Sequence, residues 1–297
     1  MHPGYCINKC LFMSRILNIL LIWSVIMAFF QCNIFSQTLH FNTNIGVIIP
    51  SPNSDEIFNQ TDSGYFEPGI KYQTVYLFHG LFGDFSDWMR WTSIERYAQE
   101  RKVAIIMPST SNSFYQNMYR GEKYFTYLTE ELPHFVHTIF PLSNAREDNF
   151  TVGLSMGGYG ALKIALTKPE EYACAASLSG AVDIVEVIEN GLFQDTFIDI
   201  SNIFEYPEYL ENTDADLFTL IRKLIKENRT VPKIFISCGK EDFMYQQHER
   251  SKRKLTEIGV EFHFEEHPGK HDWNYWDTHV QTALDWLPLK RTVIKPG

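Results

Sequence analysis

Asn149-Phe-Thr-Val-Gly-Leu-Ser-Met-Gly-Gly-Tyr-Gly-Ala-Leu162 runs from a short β-type segment, through Gly153-Leu-Ser-Met-Gly157, into an Ala, Leu, Lys and Ile stretch of helical character. A serine on such a strand-to-helix turn sits in strained backbone geometry, and glycines at 153 and 157 remove the side chains that would obstruct it. Ser155 then stands at a helix N-terminus, where backbone amides and the helix dipole favour negative charge developing on a carbonyl oxygen. Gly and Ser also make ordinary turns. The pattern acquires meaning only if a base, an acid and two amide donors occupy the places that a nucleophile on this turn requires.

Outward from the turn, β-rich runs recur at Val75–Phe78, Val103–Met107, Phe150–Gly153, Ala173–Leu178, Ile234–Cys238 and Glu261–Phe264. Most are nearly continuous in apolar or small residues, as in parallel strands covered on both faces. Helical patterns fall between them at Trp88–Arg101, Arg120–Phe140, Gly158–Thr167, Asp216–Asn228 and Gln247–Ile258. This alternation implies an α/β fold with a mostly parallel central sheet. Leu39–Ile49 is expected to supply antiparallel edge strands, and Asn53–Gly69, rich in Asn, Asp, Ser, Gly and Pro, reads as a loop. Only residues 181–230 break the rhythm. With no clear strand but with Phe193, Phe197, Ile200, Phe204, Tyr206 and Tyr209, they read as a helical insertion after the sixth strand, over the crevice at the strand carboxyl ends.

The 297 residues are 44% apolar, enough for a full core, and the net charge of -10 without a basic run argues against nucleic acid as a partner. Residues 1–36 contain no Asp or Glu, carry Lys9 and Arg15, and run apolar from Ile16 to Phe30, which resembles a secretory signal. Ile34 and Ser36 suit the -3 and -1 cleavage positions, leaving a mature domain of residues 37–297. That reading implies a secreted or periplasmic protein without stable membrane contact; a lipoprotein modified at Cys32 and an uncleaved anchor are the alternatives. Of the five cysteines, Cys6, Cys10 and Cys32 lie in this leader, while Cys174 and Cys238 read as buried free thiols at opposite ends of neighbouring strands. Neither has the spacing of a metal site.

A serine hydroxyl is a weak nucleophile and needs a base to remove its proton, with an acid to fix the base's tautomer. In a sheet of this kind the acid follows the next-to-last strand and the base follows the last. Gly239-Lys-Glu-Asp242 occupies the first place and Pro268-Gly-Lys-His271 the second. The order Ser155, Asp242, His271 is that of an α/β-hydrolase triad. Rival groups are close by: Glu241 and Asp183 for the acid, His267 and His263 for the base. His263, Glu265 and Glu266 belong to the strand itself, and Asp272 suits a turn or cap. The oxyanion hole requires the amide after the nucleophile, that of Met156, and one from the Gly-rich turn His79-Gly-Leu-Phe-Gly-Asp84, where Leu81 is favoured and Phe82 is the alternative. His79 itself reads as a residue that orders this turn.

The chain resembles the esterase D-like branch of the α/β-hydrolases, above all its tributyrin and feruloyl esterase type. The likeness spans most of the chain and rests on Tyr76-Leu-Phe-His-Gly-Leu, Met107-Pro-Ser-Thr-Ser-Asn, Tyr124-Phe-Thr-Tyr-Leu-Thr-Glu-Glu-Leu-Pro133, Gly153–Leu162, Cys238-Gly-Lys-Glu-Asp-Phe243 and His271-Asp-Trp-Asn-Tyr-Trp276. It implies a serine carboxylesterase working through an acyl-enzyme, without metal or organic cofactor, on short acyl or feruloyl esters. Similar S-formylglutathione hydrolases place histidine beside the serine and after the glycine pair, where this chain has Leu154 and Tyr159. That departure points away from glutathione thioesters. Acyl transfer to sugar and serine peptidase activity are the other chemistries of the fold. Trp88, Trp91, Tyr115, Tyr119, Trp273 and Trp276 are candidates for an aromatic platform that would meet a carbohydrate-linked ester.

Overall fold

Side chains alternate across the central strands and divide the core in two. In the computed structural model, which describes residues 27–295 apart from 53, 60–64, 66, 194 and 195, Val75 and Leu77 pack on one face of the sheet with Trp88, Tyr97 and Val280. Tyr76 and Phe78, their neighbours in sequence, pack on the other with Tyr115 and Leu162. Eight strands carry this alternation: β1 Ala28–Ser36, β2 Phe41–Ile49, β3 Thr74–Phe78, β4 Ala104–Pro108, β5 Asn149–Leu154, β6 Cys174–Leu178, β7 Lys233–Gly239 and β8 Phe262–His267. The longer helices are α1 Asp87–Trp91, α2 Ile94–Arg101, α3 Leu132–Ile139, α4 Met156–Thr167, α5 Ile184–Glu189, α6 Leu217–Lys226, α7 Tyr245–Ile258 and α8 Trp273–Trp286.

The sheet order is β1-β2-β4-β3-β5-β6-β7-β8. β3 to β8 are parallel, and β2 joins β4 antiparallel. The chain steps from β3 to β4 on one side and then crosses to β5 on the other. The crevice at the carboxyl ends of β3 and β5 is therefore the topological switch point, where α/β sheets bind ligands. All six expected parallel strands are present within one to three residues of their expected bounds. Residues 181–230 form the expected insertion: α5, a short helix Ile200–Ile203, a turn of 3₁₀-helix at Pro207–Tyr209, and α6.

Other elements differ from expectation for local reasons. The helix expected over Trp88–Arg101 breaks at Thr92, whose hydroxyl donates to Trp88 O and accepts from Ile94 N, replacing the helical backbone pattern. The expected Arg120–Phe140 helix begins at Tyr124 and passes through a π-helical turn at Tyr127–Glu131, just before Pro133, which has no N–H to continue the ladder. A short helix, Ser54–Phe58, occupies part of the expected loop. The helix α8 was not anticipated, although Asp272 caps it and Tyr275, His279, Val280 and Ala283 recur at helical spacing on its buried face.

A strand also lies within the expected leader. Ala28–Ser36, expected within a cleaved leader, pairs with β2 along its whole length, from Ala28 opposite Ile49 to Ser36 opposite Phe41. Glu131 fastens the turn that follows, accepting from Ser36 Oγ at 2.7 Å, Gln37 N at 2.7 Å and Thr38 N at 3.0 Å. Cleavage before Gln37 would remove this strand and the Ser36 hydroxyl that Glu131 holds. Cys32 lies in the middle of β1 opposite Ile45. The rest of the expected leader, residues 1–26, lies outside the described residues. Among the described residues no helix is long and apolar enough to cross a membrane.

Candidate active site

The turn after β5 is dictated by backbone contact. A Cβ on Gly153 would stand 2.2 Å from Gly157 O, and one on Gly157 would stand 2.5 Å from His79 O, so neither position accepts a side chain. Their absence lets β5, the start of α4 and the end of β3 close on one another. Ser155 takes φ 51° and ψ -120°, a conformation held against its intrinsic preference by this packing. Its amide donates to Leu178 O at 2.9 Å, and its carbonyl accepts from Gly158 N at 3.0 Å. The hydroxyl is left free to point away from the sheet.

β7 and β8 deliver its partners, and the loops after these two strands are stitched together. Gly239 passes against Gly269, where a Cβ would stand 2.2 Å from Gly269 O. Lys240 N donates to His267 O at 2.8 Å and Glu241 N to Gly269 O at 3.0 Å. Glu241 Oε2 in turn accepts from Gly269 N at 2.5 Å. The stitched loops bring His271 Nε2 to 3.0 Å from Ser155 Oγ. Asp242 holds the other ring nitrogen, with Nδ1 2.9 Å from Oδ2 and 3.1 Å from Oδ1. Burial raises the Asp242 carboxyl's pKa, but hydrogen bonding to His271, the His271 charge and the Met244 amide outweigh it and hold the group below its ordinary range.

Each rival group is occupied elsewhere. Glu241 joins the two loops as described. Asp183 caps α5 through Glu186 N and pairs with Lys254. His263 and His267 both face Glu265, at 2.8 and 3.1 Å. Asp272 accepts from Tyr275 N at 3.1 Å as the cap of α8. Ser155, Asp242 and His271 are therefore brought together, and the alternatives are not.

The turn after β3 is ordered from behind by His79. Its Nε2 lies 3.0 Å from Thr110 N, which donates, so the ring proton sits on Nδ1 and donates to Gly80 O at 2.7 Å. Burial lowers the His79 pKa to about 4, which keeps the ring neutral and preserves this arrangement. Tyr115 OH donates to His79 O at 2.9 Å and Trp88 Nε1 to Phe78 O at 3.0 Å. Phe82 N donates to Asn112 Oδ1 at 2.7 Å, which takes it out of contention as an oxyanion donor and leaves Leu81. Leu81 and Met156 both line the cavity that contains Ser155 and His271.

That cavity measures about 240 Å³ and is mainly apolar, walled by Phe114, Val187, Phe193, Met244, Trp273 and Trp276 among others. Part of its wall, Ala181 to Phe193, comes from the insertion. A larger cleft of about 440 Å³ lies near Tyr76, His137 and Glu171 but contains none of the triad. Among the described residues no group of three His, Cys, Asp or Glu converges as a metal site. Cys174 and Cys238 are buried free thiols, as expected.

Known proteins resemble this chain over most of its length. The family model described as "Esterase: Putative esterase" matches residues 56–287. The chain belongs to this esterase family. An acetyl esterase of Caldicellulosiruptor saccharolyticus is 32% identical over 269 residues, covering 88% of this chain and 98% of that one. Among solved structures, the fluorophosphonate-binding serine hydrolase FphF of Staphylococcus aureus, determined with substrate bound, is 37% identical with a TM-score of 0.78, covering 88% of this chain and 98% of that one. An S-formylglutathione hydrolase, FrmB, from the same organism is 38% identical with a TM-score of 0.75 and coverage of 88% and 99%. The chain is a carboxylic ester hydrolase of the α/β-hydrolase fold.

Within this esterase the structure adds residues that sequence reasoning passed over. Asn112 occupies the Phe82 amide, the alternative oxyanion donor. Phe243, next to the acid, sets its ring 4.5 Å from that of His271. A large apolar residue in a polar loop directly after the acid was the available signal. Two members of the expected aromatic platform, Trp88 and Tyr115, are instead core residues, at 1% and 0% exposure. Tyr159 is also buried, accepting from Gln116 Nε2 at 2.7 Å and donating to Ala215 O at 2.8 Å, which ties α4 to the insertion.

Proposed function

We propose that the esterase hydrolyses short-chain acyl esters, acetyl esters foremost, through an acyl-enzyme on Ser155. The observation that carries this reading is the Ser155–His271–Asp242 hydrogen-bonded chain opening into an apolar cavity of about 240 Å³. His271 Nε2 takes the hydroxyl proton as Ser155 Oγ attacks the acyl carbon, and Asp242 steadies the imidazolium that forms. The carbonyl oxygen gathers negative charge toward the Leu81 and Met156 amides. Collapse expels the alcohol, which leaves with the proton from His271. Water then repeats the sequence on the acyl-serine, yielding the acid and restoring the hydroxyl.

Short acyl groups such as acetyl or propionyl fit within this cavity of about 240 Å³. The acetyl esterase relative supports the same choice. A formyl thioester is the second reading, favoured by the 38% identical S-formylglutathione hydrolase. Against it, neither Lys nor Arg lines the cavity to meet the glutathione carboxylates. The apolar run at Ile16–Phe30 supports export, with processing that spares β1. A panel of p-nitrophenyl acetate, butanoate and octanoate with methyl ferulate, acetylated xylan and S-formylglutathione tests the assignment. The expected result is the highest kcat/KM on acetate; highest turnover on S-formylglutathione or ferulate would overturn it.

A further inference from the structure

Large apolar rings continue from the wall of the cavity out to its exposed mouth. Phe82, Phe197, Phe243 and Trp91 are 63%, 84%, 63% and 56% exposed, values that a protein interior would not leave to such side chains. Each is connected to the cavity, directly or through a ring that lines it. Phe82 and Phe243 line it, Phe197 of the insertion packs on Phe82 with centroids 5.2 Å apart, and Trp91 stacks on cavity-lining Trp273 at 6.3 Å and 19°.

Their position relative to His271 gives them a role. The departing alcohol oxygen must receive its proton from His271 Nε2, so the group attached to that oxygen leaves past His271 and against the Phe243 ring beside it. We propose that Phe243, Phe82, Phe197 and Trp91 form a leaving-group subsite for alkyl or aryl alcohols. This rests on ester hydrolysis at Ser155 and extends it to the alcohol side. A sugar alcohol or the glutathione peptide would bring hydroxyl, carboxylate and ammonium groups that need partners when desolvated. Apart from Ser155 and His271, the polar side-chain groups lining the cavity are the Asp87 carboxylate and the indole N–H groups of Trp273 and Trp276, too few to partner a sugar or a peptide. The exposed ring faces of Phe82, Phe197, Phe243 and Trp91 reward apolar surface instead.

Ethyl, butyl and hexyl acetate isolate the effect, because their alcohols have nearly equal acidity and their acyl group is constant. The expected result is a rise in kcat/KM of about tenfold or more from ethyl to hexyl acetate, as methylenes leave water, with acetylated xylotriose below butyl acetate. Phe243→Ser and Phe197→Ser should each cut the hexyl-to-ethyl ratio by about threefold or more, and both rings are exposed enough that their loss leaves the core intact. A flat series, a preference for the acetylated sugar, or an unchanged ratio in both variants would overturn the subsite while leaving ester hydrolysis standing. Failure of ethyl acetate turnover together with failure of a small fluorophosphonate to label Ser155 would instead overturn hydrolysis at Ser155, and the subsite with it.

Discussion

The floor and the roof of the catalytic cavity are built by different physics. The floor consists of turns after β3, β5, β7 and β8, and it is set by backbone against backbone: Gly157 against His79 O, Gly153 against Gly157 O, Gly239 against Gly269 O. The roof, from Ala181 to Phe193, is set by side chains packing on side chains, as where Phe193 meets Phe114 edge-on at 5.5 Å. Backbone contact tolerates almost no substitution, whereas side-chain packing tolerates many. The proposed reaction therefore depends on the floor, and the proposed acyl preference on the roof.

The largest effect is expected at the acid. Asp242→Asn keeps the shape of the floor but presents the wrong hydrogen-bonding pattern to His271 Nδ1, and kcat on p-nitrophenyl acetate should fall by about 10⁴-fold; a fall under tenfold would detach the acid from the chemistry. Next comes the backbone itself. Gly157→Ala drives a Cβ against His79 O and Phe78 O, and the urea midpoint should report a loss of about 3 kcal/mol. Stability within a few tenths of the wild type would show that the floor yields more readily than its contacts imply.

Acid should distinguish the two regions as well. His79 and His248 are buried beneath the floor, and burial lowers both pKa values to about 4 from 6.5, while residues 181–230 contain no histidine. Between these values the unfolded chain binds protons that the folded chain refuses, so stability falls as pH drops. At pH 5 the linkage amounts to about 2 kcal/mol for each histidine. Denaturation at pH 7 and pH 5 measures it, and equal stability at the two would contradict the neutral, buried rings. The smallest effect belongs to the roof. Val187→Ala, which removes two methyl groups from the cavity wall, should raise the butanoate-to-acetate ratio by about threefold to tenfold with the triad still working.

The same division explains what could be read from the sequence. Gly153, Ser155 and Gly157 are legible because a backbone approach demands specific residue types at fixed spacing, and Asp242 and His271 because the ends of β7 and β8 locate them. The choice of Leu81 over Phe82 was legible only as a preference, since the deciding hydrogen bond comes from Asn112, thirty residues away in sequence. Phe197 and Phe82 meet across an even longer interval, and no periodic pattern records that contact. The edge strand β1 was hidden because its apolar residues continue the Ile16–Phe30 run, so composition alone could not separate leader from sheet.

The proposed reaction places the nucleophile at Ser155, activated by His271 and Asp242. Its most direct test is intact-mass analysis and peptide mapping after treatment of the folded protein with a fluorophosphonate, in parallel with Ser155→Ala. One covalent adduct on Ser155, absent from the variant along with ester turnover, is the expected result. An adduct on another residue, or ester turnover that survives in Ser155→Ala, would contradict it.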